Sequence, residues 1–379
     1  MNHAEDSVTI YRFAGDVHER ERQIIDFSLP VNPLGVSKKV KAEVRKHLKY
    51  LNRYPDPETK RIRKRLGQFH AIDPEMIICG NGSTELLYLI ARAFSPQKLL
   101  LPMPISPGYE EAYRMSGTAE IIKYGLKREQ HFDVTPDVFI QVITEKLRKT
   151  SARSTPANHA DIHVTSEPVS MVLLCNPNDI TGRSIEKRSV QKIADAARDL
   201  QCYLVVDEAH IDFDLSHSMI EAAADNPYLI VLRSMSYAYG LSGIRFGYAV
   251  CSPFCIARLR ECKVPWTVNS LAQRAAVAAL KDEAYRKESV NLIKREKAFL
   301  EKSFMKLGIP FIPSDVNFYL LHTAAASEIC YRLRCRGILV RDFSGFPGLE
   351  GSHLGIAVKS HRENAILVRI LAGILPSGG

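Results

Sequence analysis

No stretch of this chain approaches the roughly 18 consecutive apolar residues that a membrane span requires. The first residues, Met1 to Val8, are polar and acidic, with neither the basic opening nor the apolar core of a secretory signal. These two absences imply a protein that stays in the cytoplasm and has no membrane partner. The eight cysteines (Cys79, Cys175, Cys202, Cys251, Cys255, Cys262, Cys330 and Cys335) match no zinc or disulfide spacing, and several fall inside apolar runs. They read as reduced structural thiols, and no metal is expected. No internal repeat of fixed period is present, which argues against a repeat array. The formal charge of +9 does not bring nucleic-acid recognition with it. Its densest source, Lys60, Arg61, Arg63, Lys64 and Arg65, is short, lacks aromatic interleaving, and shares a helical pattern with Ile62 and Leu66. A solvated helix face accounts for that run.

What is present is a soluble globular composition, 46% apolar and 25% charged over 379 residues, enough for one large domain and a smaller companion. From about Met76, short apolar runs alternate with helical patterns, the signature of a layered α/β domain. Strands are predicted at Met76 to Cys79, Leu99 to Leu101, Ile121 to Tyr124, Met171 to Leu174, Tyr203 to Val206, Leu229 to Leu232 and Phe246 to Val250. Helices are predicted at Ser83 to Ala93, Val190 to Leu200 and Ser218 to Ala224. Thr150 to Pro168 has no periodicity and reads as a loop insertion. After Ser252 come long helices, Leu271 to Leu280 and Asn291 to Leu307, then strands near Phe318 to Leu321, Ile338 to Val340 and Leu354 to Val358. The expected fold class is therefore α/β: a three-layer α/β/α large domain with a mostly parallel sheet over residues 46–255, and a smaller α+β domain over residues 256–379. Residues 1–45 are expected to form an N-terminal arm and part of the small domain.

Five separated stretches carry a family pattern: Ile24 to Gly35 (IIDFSLPVNPLG), Arg53 to Pro57 (RYPDP), Gly80 to Glu85 (GNGSTE), Val205 to Phe213 (VVDEAHIDF) and Arg233 to Tyr248 (RSMSYAYGLSGIRFGY). In order and spacing the chain resembles fold-type-I pyridoxal-phosphate (PLP) enzymes, in the branch of histidinol-phosphate aminotransferase and threonine-phosphate decarboxylase. Val340 to Leu349 (VRDFSGFPGL) is most similar to the decarboxylase. Ser83 and Thr84 follow a Gly-Asn-Gly turn and open a helix, so backbone N–H groups and the helix dipole suit an anion there. The resemblance implies that Ser234, Ser236 and Arg245 complete this phosphate cup and that Tyr54 reaches in from the second subunit of a homodimer. It also implies that Asp207 pairs with the protonated pyridine nitrogen, making the cofactor ring an electron sink.

The resemblance breaks at the residue between Ser236 and Ala238, where the Schiff-base lysine belongs and Tyr237 stands. A phenol cannot condense with an aldehyde, so PLP or its amine form, pyridoxamine phosphate (PMP), is expected to bind only non-covalently. Asp179 stands where an asparagine donates to the ring oxygen, Ser106 where an aromatic stacks on the ring unless Tyr109 takes that place, His210 where a tyrosine or phenylalanine follows Asp-Glu-Ala, and Gly355 where an arginine grips a substrate carboxylate. No fork is expected at that last position. Asp179, Asp207, His210 and Tyr237 are expected to converge, as a collapsed pocket, as an Asp–His pair with Tyr237 as proton donor or, last in order, as metal ligands. Three functions follow from this pattern. The first is a protein that keeps the cup for PLP, PMP or another phosphorylated small molecule and works without a lysine, with Tyr237, His210 and Asp179 as its candidate catalytic residues. The second is an inactive structural or regulatory subunit. The third, a conventional aminotransferase or threonine-phosphate decarboxylase, requires another lysine to enter the site.

Overall fold

The computed structural model describes residues 24–147, 170–349, 351 and 353–374. The loop insertion expected at residues 150–168 lies outside the described residues. The described chain opens with a short strand, β1 (Ile25–Asp26), and two amphipathic helices, α1 (Lys38–His47) and α2 (Lys60–His70). Ile62 and Leu66 of α2 are buried as the pattern requires, but Arg63 is buried with them. Its guanidinium donates to the Pro74 carbonyl (3.0 Å) and pairs with Glu75 (2.6 Å), which corrects the reading of the basic run as a wholly solvated face.

Each apolar run predicted between residues 76 and 250 becomes a strand: β2 (Ile77–Gly80), β3 (Lys98–Met103), β4 (Glu120–Gly125), β5 (Ser170–Cys175), β6 (Tyr203–Asp207), β7 (Leu229–Ser234) and β8 (Gly247–Cys251). They form one sheet in the order β2-β8-β7-β6-β5-β3-β4, in which only β8 runs antiparallel to its neighbours. Both faces are covered, as parallel strands demand. Leu99, Leu101, Leu173, Val205 and Leu232 face one core with α3 (Gly82–Phe94) and α4 (Pro107–Met115). Leu100, Val172, Leu174, Val206 and Val231 face the other with α5 (Pro136–Leu147) and α6 (Lys187–Asp199). The period-two alternation of each strand thus builds three layers.

The stretch predicted as a helix from Ser218 to Ala224 forms only a 3-10 turn, Ala222–Ala224. The Ser218 hydroxyl and the Met219 N–H instead donate to the carboxylate of Glu208 (2.8 and 2.6 Å), which occupies groups a helix start would direct elsewhere. Beyond the sheet, the long helix predicted from Asn291 is longer than expected, α7 (Glu283–Lys306). It packs Ile293, Leu300 and Phe304 against β9 (Phe318–His322) and its neighbours. The strand β10 (Ile338–Leu339) pairs in parallel with β1. Next to it, β11 (Arg341–Asp342) and β12 (His353–Ala357) complete an antiparallel sheet in the order β11-β12-β9. All eight cysteines are free. Among the described residues no helix is long and apolar enough to cross a membrane.

Candidate functional site

The carboxyl ends of β2 and β7 and the start of β8 meet in one row, with Gly80 opposite Gly247 and Ser234 opposite Gly247. From Gly80 the chain turns through Asn81 into α3, whose first residue, Gly82, has φ +83°. A Cβ there would collide with the guanidinium of Arg245, so glycine lets the fork lie directly on the helix start. A Cβ on Gly247 would likewise strike the backbone N of Ser83. Arg245 itself holds a left-handed φ of 63°, a conformation that costs a non-glycine residue and that the surrounding loop must enforce. Its Nη1 donates to the Ser242 carbonyl (3.1 Å) and reaches Ser236 Oγ (3.4 Å), while the Ser236 N–H donates to Ser234 Oγ (3.2 Å). Ser83, Ser234, Ser236 and Arg245 are therefore brought together around free N–H groups of a helix N-terminus, and Thr84 is exposed on the same turn. Tyr54 is not there: it is 84% exposed, beside the Trp266 ring at 5.5 Å.

The next strand ends carry the acids. Cys175 of β5 pairs with Asp207 of β6, and the Asn176 N–H donates to the Asp207 carbonyl (2.9 Å), so the motif at 176–182 starts beside Asp207. Asn178 accepts from the N–H groups of Ile180 (2.9 Å) and Thr181 (2.8 Å) and donates to the Pro104 carbonyl (3.0 Å), which fixes the loop that presents Asp179. Asp207 Oδ1 accepts from the Ala209 N–H (2.8 Å) and Oδ2 from the Tyr109 hydroxyl (2.9 Å). Tyr109 is thus buried as a partner of Asp207. Burial pushes the Asp207 carboxyl up to about 7, against those hydrogen bonds and with the help of the Asp179 and Glu208 carboxyls.

A cavity open to solvent lies between these strand ends and the small sheet. Ser106, Asp179, His210, Tyr237, Phe318, Arg341, Phe343 and Gly355 line it. The backbone of Tyr237 is pinned by Asn32, whose N–H donates to the Tyr237 carbonyl (3.0 Å) and whose amide donates to that of Ala238 (2.7 Å). Burial, with Asp179 and Asp207 nearby, pushes the Tyr237 phenol up to about 12. His210 lies flat on the Tyr237 ring, centroids 4.1 Å apart at 22°. Burial, then the charge of Arg341, presses His210 down to about 3. The expected Asp–His pair is not formed: His210 Nδ1 is buried without a hydrogen-bond partner, while the ring face stacks on Tyr237. Asp179 Oδ1 is also buried without a partner. Burial raises the Asp179 carboxyl, and Arg341 and Ser106 oppose that rise.

Arg341 is the residue the linear pattern missed. Gly355 carries no side chain to grip an anion, but its cross-strand partner is Arg341, which lines the same cavity. A Cβ on Gly355 would meet Phe343 Cε2 at 2.6 Å, so glycine admits the Phe343 ring, over which the Arg341 guanidinium stacks at 4.6 Å. Position 355 itself has no fork, as expected, and an arginine reaches the same edge from the adjacent strand. Arg341 stands in the quoted stretch Val340 to Leu349, but only the β11–β12 register shows that it faces Gly355.

A mostly parallel seven-stranded sheet covered on both faces, with a glycine-opened helix start and a buried carboxylate at its carboxyl ends, is an α/β protein of aminotransferase-like fold. The chain belongs to the class I and II aminotransferase family, whose model matches residues 22–371. It is 30% identical over 364 residues to the threonine-phosphate decarboxylase of Salmonella typhimurium, covering 94% of this chain and 93% of that one. It is 34% identical over 328 residues to a histidinol-phosphate aminotransferase of Thermoanaerobacter sp., covering 86% and 85%. The crystal structure of the histidinol-phosphate aminotransferase from Clostridium acetobutylicum superposes with a TM-score of 0.81 at 25% identity, over 93% of this chain and 99% of that one.

Proposed function

We propose that this chain binds PLP, PMP or another phosphorylated small molecule without a covalent bond, and that its chemistry runs without a Schiff-base lysine. The observation that carries this reading is Tyr237, placed inside the cup loop and facing a cavity that, among the described residues, no lysine lines. Its phenol stays protonated at neutral pH and offers no amine to a carbonyl. The phosphate end fits such a ligand: Ser83, Ser234, Ser236 and Arg245 surround a helix start that glycine leaves open at Gly82. Asp207 is the group to face a ring nitrogen. When bound, the cofactor supplies an electron sink for charge developing on a substrate carbon. Arg341 would then hold an acidic group of the substrate at the cavity edge, and Tyr237 would hold or release a proton at its hydroxyl. The threonine-phosphate and histidinol-phosphate enzymes among the relatives favour a phosphorylated substrate.

Purified with excess PLP and reduced with borohydride, the protein should carry no pyridoxyl group on any cavity residue, as read by mass spectrometry of its peptides. A pyridoxyl-lysine from the cavity would end this reading and restore a conventional enzyme. Restoring the lysine alone, as Tyr237→Lys, should not give a competent transaminase, because Asp179 still opposes the ring oxygen.

A subunit without chemistry of its own is the second reading, favoured by the stacking of a neutral, buried His210 on Tyr237. In that case His210→Ala shifts thermal stability and no activity. We further propose the division into a large unit over residues 46–255 and a small one over residues 256–379, with the N-terminal residues joining the latter.

The same proposal includes a homodimer in which Tyr54 completes the partner's cup. Its support is the exposure of Tyr54 together with Leu51 and Val264, 60% and 58% exposed. Light scattering should give twice the chain mass, and Tyr54→Phe should weaken phosphate binding. A monomer at working concentration would remove Tyr54 from the site.

A further inference from the structure

The cavity holds two buried polar atoms that the protein leaves without partners, Asp179 Oδ1 and His210 Nδ1. The first is the more costly, since a carboxylate is an acceptor only and burial without a donor forfeits its solvation. Arg341 and Ser106 lower the Asp179 carboxyl against its burial, Tyr109, Cys175, Asp207 and Tyr237 feel its charge, and His210 shares its cavity. Compared with the family pattern, tyrosine at 237 removes a cationic side chain and aspartate at 179 adds an anionic one, so both exchanges make the cavity more negative. Arg341, which acts on Asp179 in this cavity, only stands in for the arginine missing at Gly355, and the Arg245 fork lies on Gly82 and Ser236, so neither offsets this.

We infer that the cavity selects a ligand bearing a primary ammonium beside Asp179, so that among pyridoxal-type phosphates the aminomethyl form, PMP, is held in preference to the hydroxymethyl and aldehyde forms. The inference rests on the proposed phosphate cup and deepens it. An ammonium gives Asp179 a charge-assisted hydrogen bond, stronger than a neutral one, and replaces the cation that position 237 lacks. A hydroxymethyl group offers one neutral donor. An aldehyde oxygen is a second acceptor facing a carboxylate, and it gains only if Asp179 becomes a donor.

The test is calorimetric titration of the full chain with PMP and with pyridoxine phosphate, which has the same ring and phosphate but no amine, followed by displacement of bound PMP with PLP. The wild type should bind PMP about tenfold more tightly than pyridoxine phosphate, with PLP weakest. In Asp179→Asn, a near-isosteric change, the ratio should fall to about one while pyridoxine phosphate affinity holds, and PLP should gain because the amide donates. Equal affinities in the wild type, or a preference that survives Asp179→Asn, would overturn the inference while leaving the cup intact. If pyridoxine phosphate, PMP and inorganic phosphate all fail to bind, the cup falls, and the inference falls with it.

Discussion

Replacing Arg233 by leucine is expected to destabilise the protein by about 3–5 kcal/mol, because it strands two buried carboxylates. Arg233 lies on β7 and is fully buried. Its Nη1 donates to Glu208 Oε2 (3.1 Å) and lies 3.3 Å from Ser218 Oγ, and its Nη2 pairs with Asp212. Burial raises both carboxyls and the guanidinium charge opposes that rise. The pH dependence of the variant follows by linkage. Without the cation, each carboxyl has a folded pKa further above its unfolded value, so the ionised form penalises the folded state. The penalty is absent below the unfolded pKa and grows as pH rises toward the folded one. The leucine variant should therefore regain stability as the pH falls from about 7 to about 5. Urea unfolding at both pH values measures this, and a variant as stable as the wild type at neutral pH would show that the network contributes nothing. Lysine at 233 should recover only part of the loss, since a point charge cannot fork to two carboxylates. The network also bears on the site. Ser234, the next residue on β7, points to the other face and enters the cup, so loosening Arg233 is expected to loosen phosphate binding as well.

Removal of the Arg245 guanidinium is expected to weaken binding of inorganic phosphate or a pyridoxal-type phosphate by about 1.5–3 kcal/mol, on the order of 10- to 100-fold. Titration calorimetry of Arg245→Ala measures it, and unchanged affinity would remove Arg245 from the cup. Gly82→Ala is expected to act in the same direction without touching a charge. It forces a side chain into a φ of +83° and into the space the fork occupies. A Gly82→Ala protein that folds and binds phosphate normally would show that Arg245 does not need to lie on the helix start.

Much of this architecture was legible in the linear chain. Six of the seven apolar runs from Met76 to Val250 were readable because their strands are buried on both faces and so appear as continuous apolar segments, whereas the edge strand β4 is only partly buried. Their ends shift by a residue or two, where the sheet ladder rather than apolarity decides the last pair. The loops proposed as the cup were legible for a similar reason. Its glycines, serines and Arg245 are set by backbone demands within short loops: a helix start at Gly82, a tight approach at Gly247, a left-handed turn at Arg245. Ser218 to Ala224 failed as a helix because a carboxylate outside the segment, Glu208, captures its first donors, and the segment's own propensity does not record that.

The residues themselves determined the strands, the cup and the identity of the side chains at 179, 207, 210 and 237. Only the tertiary structure decided how those side chains are used. Strand register brings Arg341 opposite Gly355, and helix packing gives Tyr109 to Asp207. The loops after β6 and β7 lay His210 on Tyr237, and Asp179 Oδ1 is left without a donor. The physical reason is one of range. Backbone conformation and burial pattern are written in neighbouring residues, whereas a hydrogen bond or a charge contact belongs to whichever groups the completed fold makes adjacent, often more than a hundred residues apart.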